Sequence, residues 1–310
     1  MKFTVAFYNL ENLFDYRNNI NTLDDDFLPN SGKRWTKKRY YKKIERLGHV
    51  ISLIGVAKIN KPPSIVGLAE IENKKVLHDL VNSKHLKKIN YRYVHYDSLD
   101  ERGVDVALLY DPQVFTIINS KPHKIELKKQ NGELDHTRDV LSVEGIFMSE
   151  PVCFIVNHWP SRREGIPISE PKRRIAAKLV GKITREIKEQ QAKVKIIVMG
   201  DFNDNPTNKS LEHLNEEHGF FNTMSTMLSY TRGSVNFRGQ WNLFDQILLS
   251  PNFFNTSNNK LQFDSANIFD ASFLKQQKGK YKGQPKRSYI GDKFKSGYSD
   301  HFPVYISLTV

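Results

Sequence analysis

The chain is 310 residues long, and its 39% of hydrophobic and 11% of aromatic residues exclude an intrinsically disordered protein and suffice for a sizeable core. The formal net charge of +13 favours polyanionic partners such as nucleic acid, phosphorylated metabolites or an anionic membrane surface. Cys153 is the one cysteine, so no intrachain disulfide can form, which suits a reducing cytoplasm but is also compatible with a periplasm. No run has the length of a membrane span, and residues 1–15 are a poor signal peptide. We therefore expect a cytoplasmic, monomeric protein without a membrane span.

Strand-like and helix-like segments alternate along the chain. Runs of apolar residues are typical of buried strands, and apolar residues spaced three and four apart are typical of helices. In chain order, the predicted elements are a strand at 3–8, a helix at 36–58, a strand at 64–70, a short helix at 73–82, strands at 104–110 and 152–158, a helix at 170–190, and strands at 194–200, 244–250 and 302–308. The pattern predicts an α/β or α+β fold, and since no linker or repeat interrupts it, residues 1–310 are predicted to form a single domain.

Two long polar segments separate these elements. Residues 15–34 are interpreted as a solvated loop, and residues 33–46 as the solvated face of the helix that follows. The second segment, residues 275–297, carries eight Lys or Arg between 275 and 295, interleaved with the aromatic residues Tyr281, Tyr289 and Phe294. Basic side chains neutralise phosphates and aromatic rings stack on bases, so this segment is either a nucleic-acid contact or a flexible solvated loop.

Polar side chains stand where several of the predicted strands begin or end. They are Asn9 and Glu11, Glu70, Asn157 and His158, Asp201 and Asn203, and Asp300 and His301. Each alone is more often a turn residue, but ligands of α/β sheets bind in the crevice where strand ends and loops meet, so the repetition predicts a site. Carboxylate, amide and imidazole groups without a thiolate are the ligands of a hard cation such as Mg²⁺ rather than of structural zinc.

Six short motifs carry these residues in a characteristic order. They are YNLEN (8–12), GLAEIEN (67–73), NHWPSR (157–162), GDFND (200–204), FDQILLS (244–250) and YSDHFPV (298–304). The set resembles the endonuclease/exonuclease/phosphatase superfamily, whose members include deoxyribonuclease I, abasic-site endonucleases, inositol polyphosphate 5-phosphatases and sphingomyelinases. The resemblance spans residues 5–308. It implies a four-layer α/β sandwich, in which two mixed β-sheets pack face to face with helices on the outside.

The resemblance also implies a divalent-metal site and a catalytic group. The implied metal ligands are Glu70 as the principal carboxylate, Asn9 and Asp300 beside it, and Glu11 as an outer ligand, holding Mg²⁺ or, alternatively, Mn²⁺. The implied catalytic residues are His301, its carboxylate partner Asp245, and Asp201, Asn203 and His158. Asp201 would activate the attacking water or protonate the leaving group, Asn203 would hold the phosphate or the water, and His158 would donate a hydrogen bond to a phosphate oxygen.

Basic and aromatic residues near the motifs are candidate substrate contacts. They are Arg102, Arg138, Arg162 with its neighbour Arg163, Arg238 and Trp241. The arginines would clamp phosphate, and Trp241 would either line a pocket for a base or sugar or pack under its loop. Glu72 and Asp204 are interpreted as supporting residues, and Asp105 either braces the site or pairs with Arg102.

Differences from the subfamilies narrow the function. Residues 244–248 lack the Trp and the Arg that inositol 5-phosphatases carry there, and His158 fits the deoxyribonuclease I and sphingomyelinase branches better than the abasic-site endonucleases. We therefore expect a divalent-metal-dependent phosphodiester hydrolase, an endonuclease or exonuclease acting on nucleic acid. The alternative is a phosphoesterase for a lipid head group or a small phosphorylated metabolite. A third hypothesis is a catalytically silent binding module on the same fold.

Overall fold

Two six-stranded sheets contain most of the strands. The computed structural model describes residues 1–20, 22–129, 131–255 and 260–310, and its strands and helices are numbered in chain order. Sheet one consists of β1 (Lys2–Leu13), β2 (Ile65–Ile71), β3 (Arg92–His95), β4 (Asp105–Tyr110), β15 (Gln262–Ile268) and β18 (Val304–Thr309). Sheet two consists of β5 (Phe115–His123), β8 (Val140–Phe147), β9 (Glu150–His158), β10 (Lys195–Asp201), β11 (Phe221–Asn222) and β14 (Asp245–Leu249).

Both sheets are mixed. In sheet one the strand order is β15-β18-β1-β2-β4-β3, with β1 parallel to β2 and antiparallel to β18. In sheet two the order is β11-β14-β10-β9-β8-β5, with β10 parallel to β9 and antiparallel to β14. Three two-stranded ribbons accompany the sheets: β6 (Leu127–Lys128) with β7 (Leu134–Asp135), β12 (Val235–Phe237) with β13 (Gln240–Asn242), and β16 (Tyr289–Ile290) with β17 (Lys293–Phe294).

Helices cover the outer faces of both sheets. The helices α1 (Lys37–Leu53), α2 (Val56–Ile59) and α3 (Lys74–Val81) accompany sheet one, and α4 (Ile166–Gln190) and α5 (Lys209–His218) accompany sheet two. Ile44 of α1 and Leu77 of α3 belong to the same buried apolar cluster as sheet one. Val180 of α4 and Leu214 of α5 join the outer face of sheet two in a second cluster. The result is the four-layer sandwich that the resemblance implied.

The central strands are apolar on both faces because each face meets another layer. In β10, Ile197 and Met199 belong to the cluster between the sheets, whereas Ile196 and Val198 belong to the cluster under α4 and α5. This alternation is the period of two that a strand imposes on its side chains. Gly67 of β2 permits the close packing, since a Cβ there would lie 2.5 Å from Sδ of Met199 in the opposite sheet.

The predicted strands and helices are all present, with bounds that differ by a few residues. The helix predicted at 36–58 is interrupted after Leu53, because Gly55 takes a φ of +75° and the short α2 follows. The sequence pattern predicted neither the four edge strands β3, β5, β11 and β15 nor β8, which lies inside sheet two. Exposed positions break the apolar run in β5 and β15, and Ser142 and Glu144 interrupt it in β8. Among the described residues, no helix combines the length and apolar character needed to cross a membrane.

The solvated interpretation of the polar segments is wrong in part. Asp15 and Asp24 of the first segment are buried, and so is Lys43 in residues 33–46. In the second segment, Tyr289 is buried and its ring packs against Phe294 at a centroid distance of 5.2 Å. Aromatic packing therefore orders the part of residues 275–297 that contains β16 and β17, while most of the lysines remain at the surface.

Candidate active site

Sheet two brings three predicted catalytic residues into one row. The last residue of β10 is Asp201, and the strand register places it beside His158 of β9 and Asp245 of β14. Neighbouring residues in register point to the same face of a sheet, so the three side chains share one face. All three are buried. The strand ends therefore place a histidine and two carboxylates together, and their catalytic roles stay a prediction.

Sheet one supplies Asn9 and Glu70 from neighbouring parallel strands. Asn9 of β1 lies opposite Ala69 of β2, the residue before Glu70, and the register shifts directly afterwards. Glu70 has a φ of +63°, and Asn12 has a φ of +52°. A residue other than glycine in this left-handed region costs about 1–3 kcal/mol, so surrounding contacts must hold it. The backbone N–H of Asn12 donates to Oε2 of Glu70 at 2.6 Å, which fixes the Glu70 carboxylate.

His301 connects the two sheets. Its Nδ1 lies 2.7 Å from Oδ2 of Asp245, and its Nε2 lies 3.9 Å from Oδ2 of Asp201. Asn9 Nδ2 donates to the same Asp201 oxygen at 3.0 Å, and the backbone N–H of Asn203 donates to Oδ1 of Asp201 at 2.9 Å. The Nδ1 proton is thus held by Asp245, while Nε2 faces Asp201 across a gap longer than a hydrogen bond. We call Asp201, Asp245 and His301 the imidazole side of the site.

The charges on the imidazole side follow from burial and from neighbouring groups. Burial raises the pKa of Asp201 to about 6; His301 opposes this rise and Asp245 adds to it. Burial disfavours a charged His301, but the carboxylates of Asp245, Asp201 and Asp300 outweigh it and hold the pKa of His301 well above its usual range. Burial and the nearby arginines hold the pKa of His158 well below its usual range. The surroundings therefore favour the charged form of His301 and the neutral form of His158.

Glu70, Glu11 and Asp300 form the second half of the site, which we call the carboxylate side. Glu70 Oε1 lies 3.8 Å from Nη2 of Arg102 and 3.8 Å from Nε2 of His158. His158 Nε2 also lies 3.7 Å from Oδ2 of Asp201, so it stands between the two halves. Arg102, predicted as a substrate contact, is therefore placed at the Glu70 carboxylate.

Glu11 and Asp300 are paired with basic side chains. Arg287 Nε lies 3.3 Å from Oε1 of Glu11, and its Nη2 lies 2.5 Å from Oδ2 of Asp300. The backbone N–H of Ser288 donates to Oε2 of Glu11 at 2.6 Å, and Lys43 Nζ lies 4.0 Å from the same oxygen. Burial raises the pKa of Glu11 to about 7, with Asp300 adding to the rise and both basic groups opposing it. Both Glu11 oxygens thus have partners within the protein, and its role as an outer metal ligand stays a prediction.

The donor atoms of the site fit a divalent cation. Three groups in the described part of the chain have donor atoms close enough to share a metal ion: Asp201, Asp245 and His301; His95, Asp97 and Asp105; and His213, Glu217 and His218. The first group is the imidazole side, where Asp245 engages His301 and favours its charged form, so this group is unsuited to a cation. The neighbouring Glu70, Asn9 and Asp300 add oxygen donors, which suit a hard cation.

Two candidate phosphate clamps are engaged inside the protein. Arg138 is buried, and it donates to Oδ2 of Asp100 at 3.1 Å and to the carbonyl of Trp159 at 2.9 Å. Arg162 donates to the carbonyl of Asn203 at 2.7 Å and to Oδ1 of Asp204 at 2.9 Å. These guanidinium groups brace the loops that follow β9 and β10, so a phosphate would meet few of their donors.

Glu72 and Asp204 make contacts inside the protein, and of the two alternatives for Asp105 the pair with Arg102 is not formed. Glu72 accepts from the backbone N–H of Asp15 at 2.5 Å, and Asp204 lies 2.8 Å from Nε of the buried Arg173. Asp105 does not pair with Arg102. It accepts from the backbone N–H of Ser98 at 3.2 Å, because it begins β4 at the base of the loop that carries Arg102.

An aromatic ribbon borders His301. Val235 of β12 forms an isolated β-bridge with His301, and Trp241 of β13 stacks on Phe302 with ring centroids 5.9 Å apart. The guanidinium carbon of Arg238 lies 5.2 Å from the centroid of the Phe237 ring, which is 63% exposed. The predicted wall around Trp241 and Arg238 is therefore attached directly to the imidazole side.

Sequence reasoning missed Lys43 and Arg287. Lys43 had a detectable signal, because it falls next to the apolar stripe of Tyr40, Ile44 and Leu47 rather than on the opposite face of α1. Arg287 had no local signal, since it lies in a run of basic residues of which most remain at the surface.

The fold and the family match are those of phosphoester hydrolases. A family model described as Endonuclease/Exonuclease/phosphatase family matches residues 4–310, and the chain belongs to this family. Curated protein sequences give no significant match.

Solved structures share the fold at low sequence identity. A humanized D. rerio TDP2 is 13% identical with a TM-score of 0.59, and the match covers 100% of this chain and 99% of that chain. D. rerio TDP2 complexed with a single-strand DNA product is 12% identical with a TM-score of 0.58, covering 100% and 99%. A Bacteroides thetaiotaomicron mannosyl-6-phosphatase is 18% identical with a TM-score of 0.61, covering 99% and 100%. At these identities the likeness shows the fold alone.

Proposed function

We propose that this chain is a divalent-metal-dependent phosphodiesterase that hydrolyses the backbone of nucleic acid. The observation that carries the proposal is the ribbon of β12 and β13, which is attached to His301 through Val235 and presents the exposed Phe237 ring. An aromatic face beside a phosphate-cleaving group can stack a base, and stacking tolerates any sequence. The net charge of +13 supports a polyanionic substrate.

The residues of the imidazole side have distinct roles in this proposal. Asp245 holds the Nδ1 proton of His301, so the protonated ring donates from Nε2 to a phosphate oxygen. Asp201 takes a proton from the attacking water as the new oxygen–phosphorus bond forms and the bond to the leaving oxygen breaks. Its pKa of about 6 suits a general base that works near neutral pH. Asn9 and Asn203 orient the Asp201 carboxylate through their hydrogen bonds.

The metal ligands belong to the carboxylate side and to β1. Glu70, Asn9 and Asp300 would hold Mg²⁺, with Mn²⁺ as the alternative, because their donors are all oxygen atoms. When bound, the cation supplies charge neutralisation at the phosphate and the leaving oxygen. The proposal treats residues 1–310 as one domain, since strands of both sheets contribute to the site.

A small phosphorylated metabolite is the second candidate substrate. A cavity of about 260 Å³ borders Glu11 and Arg287 and is also lined by Lys33, Tyr289 and Asp292. Its two basic side chains would suit a compact phosphorylated ligand. This candidate predicts a KM that changes little with salt, whereas binding of nucleic acid weakens steeply as salt rises.

A hydrolysis panel separates the two candidates. Plasmid DNA, abasic duplex, single-stranded RNA, sphingomyelin, an inositol polyphosphate and a sugar phosphate are incubated with Mg²⁺ or with EDTA, using His301→Ala as the blank. EDTA-sensitive cleavage of the nucleic acids supports the proposal. Turnover of only the small or lipid substrates would replace it with the alternative, and no turnover of any substrate would favour a binding module.

A further inference from the structure

Arg287 places a positive charge between two carboxylates of the proposed metal site. Its Nη2 lies 2.5 Å from Oδ2 of Asp300, and its Nε lies 3.3 Å from Oε1 of Glu11. A charge-assisted contact of this length occupies the Asp300 oxygen. Asp300 is one of the carboxylates to which we assign the divalent cation. Arg287 and the cation therefore compete for the same carboxylate.

The backbone around Arg287 is held firmly in place. The backbone N–H of Ser288 donates to Oε2 of Glu11 at 2.6 Å, and the backbone N–H of Tyr298 donates to the carbonyl of Lys286 at 2.6 Å. Gly297 permits this close pairing, since a Cβ there would lie 1.9 Å from the Lys286 carbonyl oxygen. The fold therefore delivers Arg287 to Glu11 and Asp300, both on the carboxylate side of the site.

Arg287 differs from Lys43, the other cation at Glu11. The Lys43 side chain is 2% exposed and also donates to the Glu11 carbonyl, so it is a fixed part of the interior. The Arg287 side chain is 48% exposed, and water can solvate its guanidinium if it leaves the carboxylates. Breaking an ion pair of exposed groups costs little free energy, whereas breaking a buried pair leaves an uncompensated buried charge. Arg287 is therefore the exchangeable cation of the carboxylate side.

We infer that Arg287 is a positioning residue that sets the divalent-cation affinity of the site. This inference rests on the proposed function, because it takes the cation to bind at Glu70 and Asp300. Arg287 neutralises Asp300 and keeps the acidic cluster balanced without a metal ion. It also makes cation binding weaker than the carboxylates alone would give, so that the site responds to the divalent-cation concentration.

The test is isothermal titration of the protein with Mg²⁺ alone. Arg287→Met keeps the length of the side chain and removes its charge, and we expect it to bind Mg²⁺ roughly three- to tenfold more tightly than the unaltered chain. Arg287→Lys keeps the charge and should stay within about twofold. Lys293→Gln is the matched control, because it removes the same charge from an exposed position of β17 without touching a carboxylate of the site.

Unchanged or weaker Mg²⁺ binding by Arg287→Met would overturn the inference, since weaker binding would mean that Arg287 only preorganises Asp300. Equal tightening in Lys293→Gln would overturn it as well, because the effect would then be one of net charge. Arg287→Gln repeats the charge removal if Arg287→Met does not fold, and circular dichroism checks each variant. Glu70→Gln separates the two proposals: if it binds Mg²⁺ as the unaltered chain does, the metal site itself is wrong, whatever Arg287 does.

Discussion

The imidazole side and the carboxylate side of the site are built differently. On the imidazole side, buried groups bond to one another: Asp245 holds His301, and Asn9 holds Asp201. On the carboxylate side, the negative charges of Glu11 and Asp300 are balanced by basic side chains, one of which is half exposed. Contacts within the protein alone fix the geometry of the imidazole side. On the carboxylate side, a dissolved cation can replace part of the positive charge that the basic side chains supply. Variants of the two sides should therefore respond differently to added metal.

His301→Ala should have the largest effect. The substitution removes the donor that faces the phosphate, and a positioned acid–base group typically contributes about 10²–10⁴-fold in rate. We expect kcat to fall about 10³-fold, with no recovery as Mg²⁺ is raised. His78→Ala, at an exposed position of α3, is the matched control. A His301→Ala enzyme with near-normal turnover would remove the imidazole side from the mechanism.

Asp245→Asn should have the next largest effect. An amide at this position carries no negative charge to stabilise a charged His301, and it can present its NH2 group to Nδ1, so the charge and the orientation of the ring are both weakened. We expect kcat to fall about 10²-fold while KM changes little. Steady-state kinetics with the preferred substrate measure this split. An effect on KM alone would show that Asp245 serves binding rather than the chemical step.

Glu70→Gln tests the carboxylate side. Loss of a metal-coordinating carboxylate weakens the site electrostatically, and we expect Mg²⁺ to bind about 10- to 100-fold more weakly. Isothermal titration with Mg²⁺ measures this change directly. Glu72→Gln is the control, since Glu72 is a nearby carboxylate whose partner is the backbone of Asp15. If both variants bind Mg²⁺ equally, Glu70 is not a ligand and the division of the site fails.

The basic segment, residues 275–297, should give the smallest effect when it is changed. Lys278 and Lys280 are exposed, so changing both to Gln should weaken binding of single-stranded DNA about two- to fivefold and reduce its salt dependence. Lys178→Gln with Lys182→Gln removes the same charge from the exposed face of α4. Fluorescence anisotropy across a range of salt concentrations gives both quantities. Equal losses in the two double variants would mean that net charge, rather than this segment, attracts the substrate.

The sequence named residues of both sides, but the contacts of the imidazole side follow from strand register and those of the carboxylate side do not. Asp201, Asp245 and His158 lie at the ends of apolar strands, and strand register alone brings such residues together. The contact between Arg287 and Asp300 depends on how residues 286–298 fold over the site, and no local pattern encodes that path. Arg138 and Arg162 show the same limit, since a basic residue beside a motif can face a phosphate or an internal carbonyl.

The fold shows the same contrast between central and peripheral elements. Central strands such as β10 are apolar on both faces, so their sequence alone identifies them, whereas the internal strand β8 was missed because Ser142 and Glu144 interrupt its apolar run. In the edge strands β5 and β15, exposed residues are mixed with half-buried ones, so the sequence of these strands looks like that of a loop. Paired strands and aromatic packing order much of the basic segment, and only its tertiary contacts reveal this.

The most direct test of the account is a Mg²⁺ titration of phosphodiester hydrolysis by the unaltered chain, Glu70→Gln and His301→Ala. The account predicts that the Glu70→Gln curve moves to higher Mg²⁺ and recovers most of its plateau. The His301→Ala curve should keep its midpoint at a plateau about 10³-fold lower. A His301→Ala variant restored by Mg²⁺, or a Glu70→Gln variant with an unmoved midpoint, would contradict the division of the site into a fixed imidazole side and an exchangeable carboxylate side.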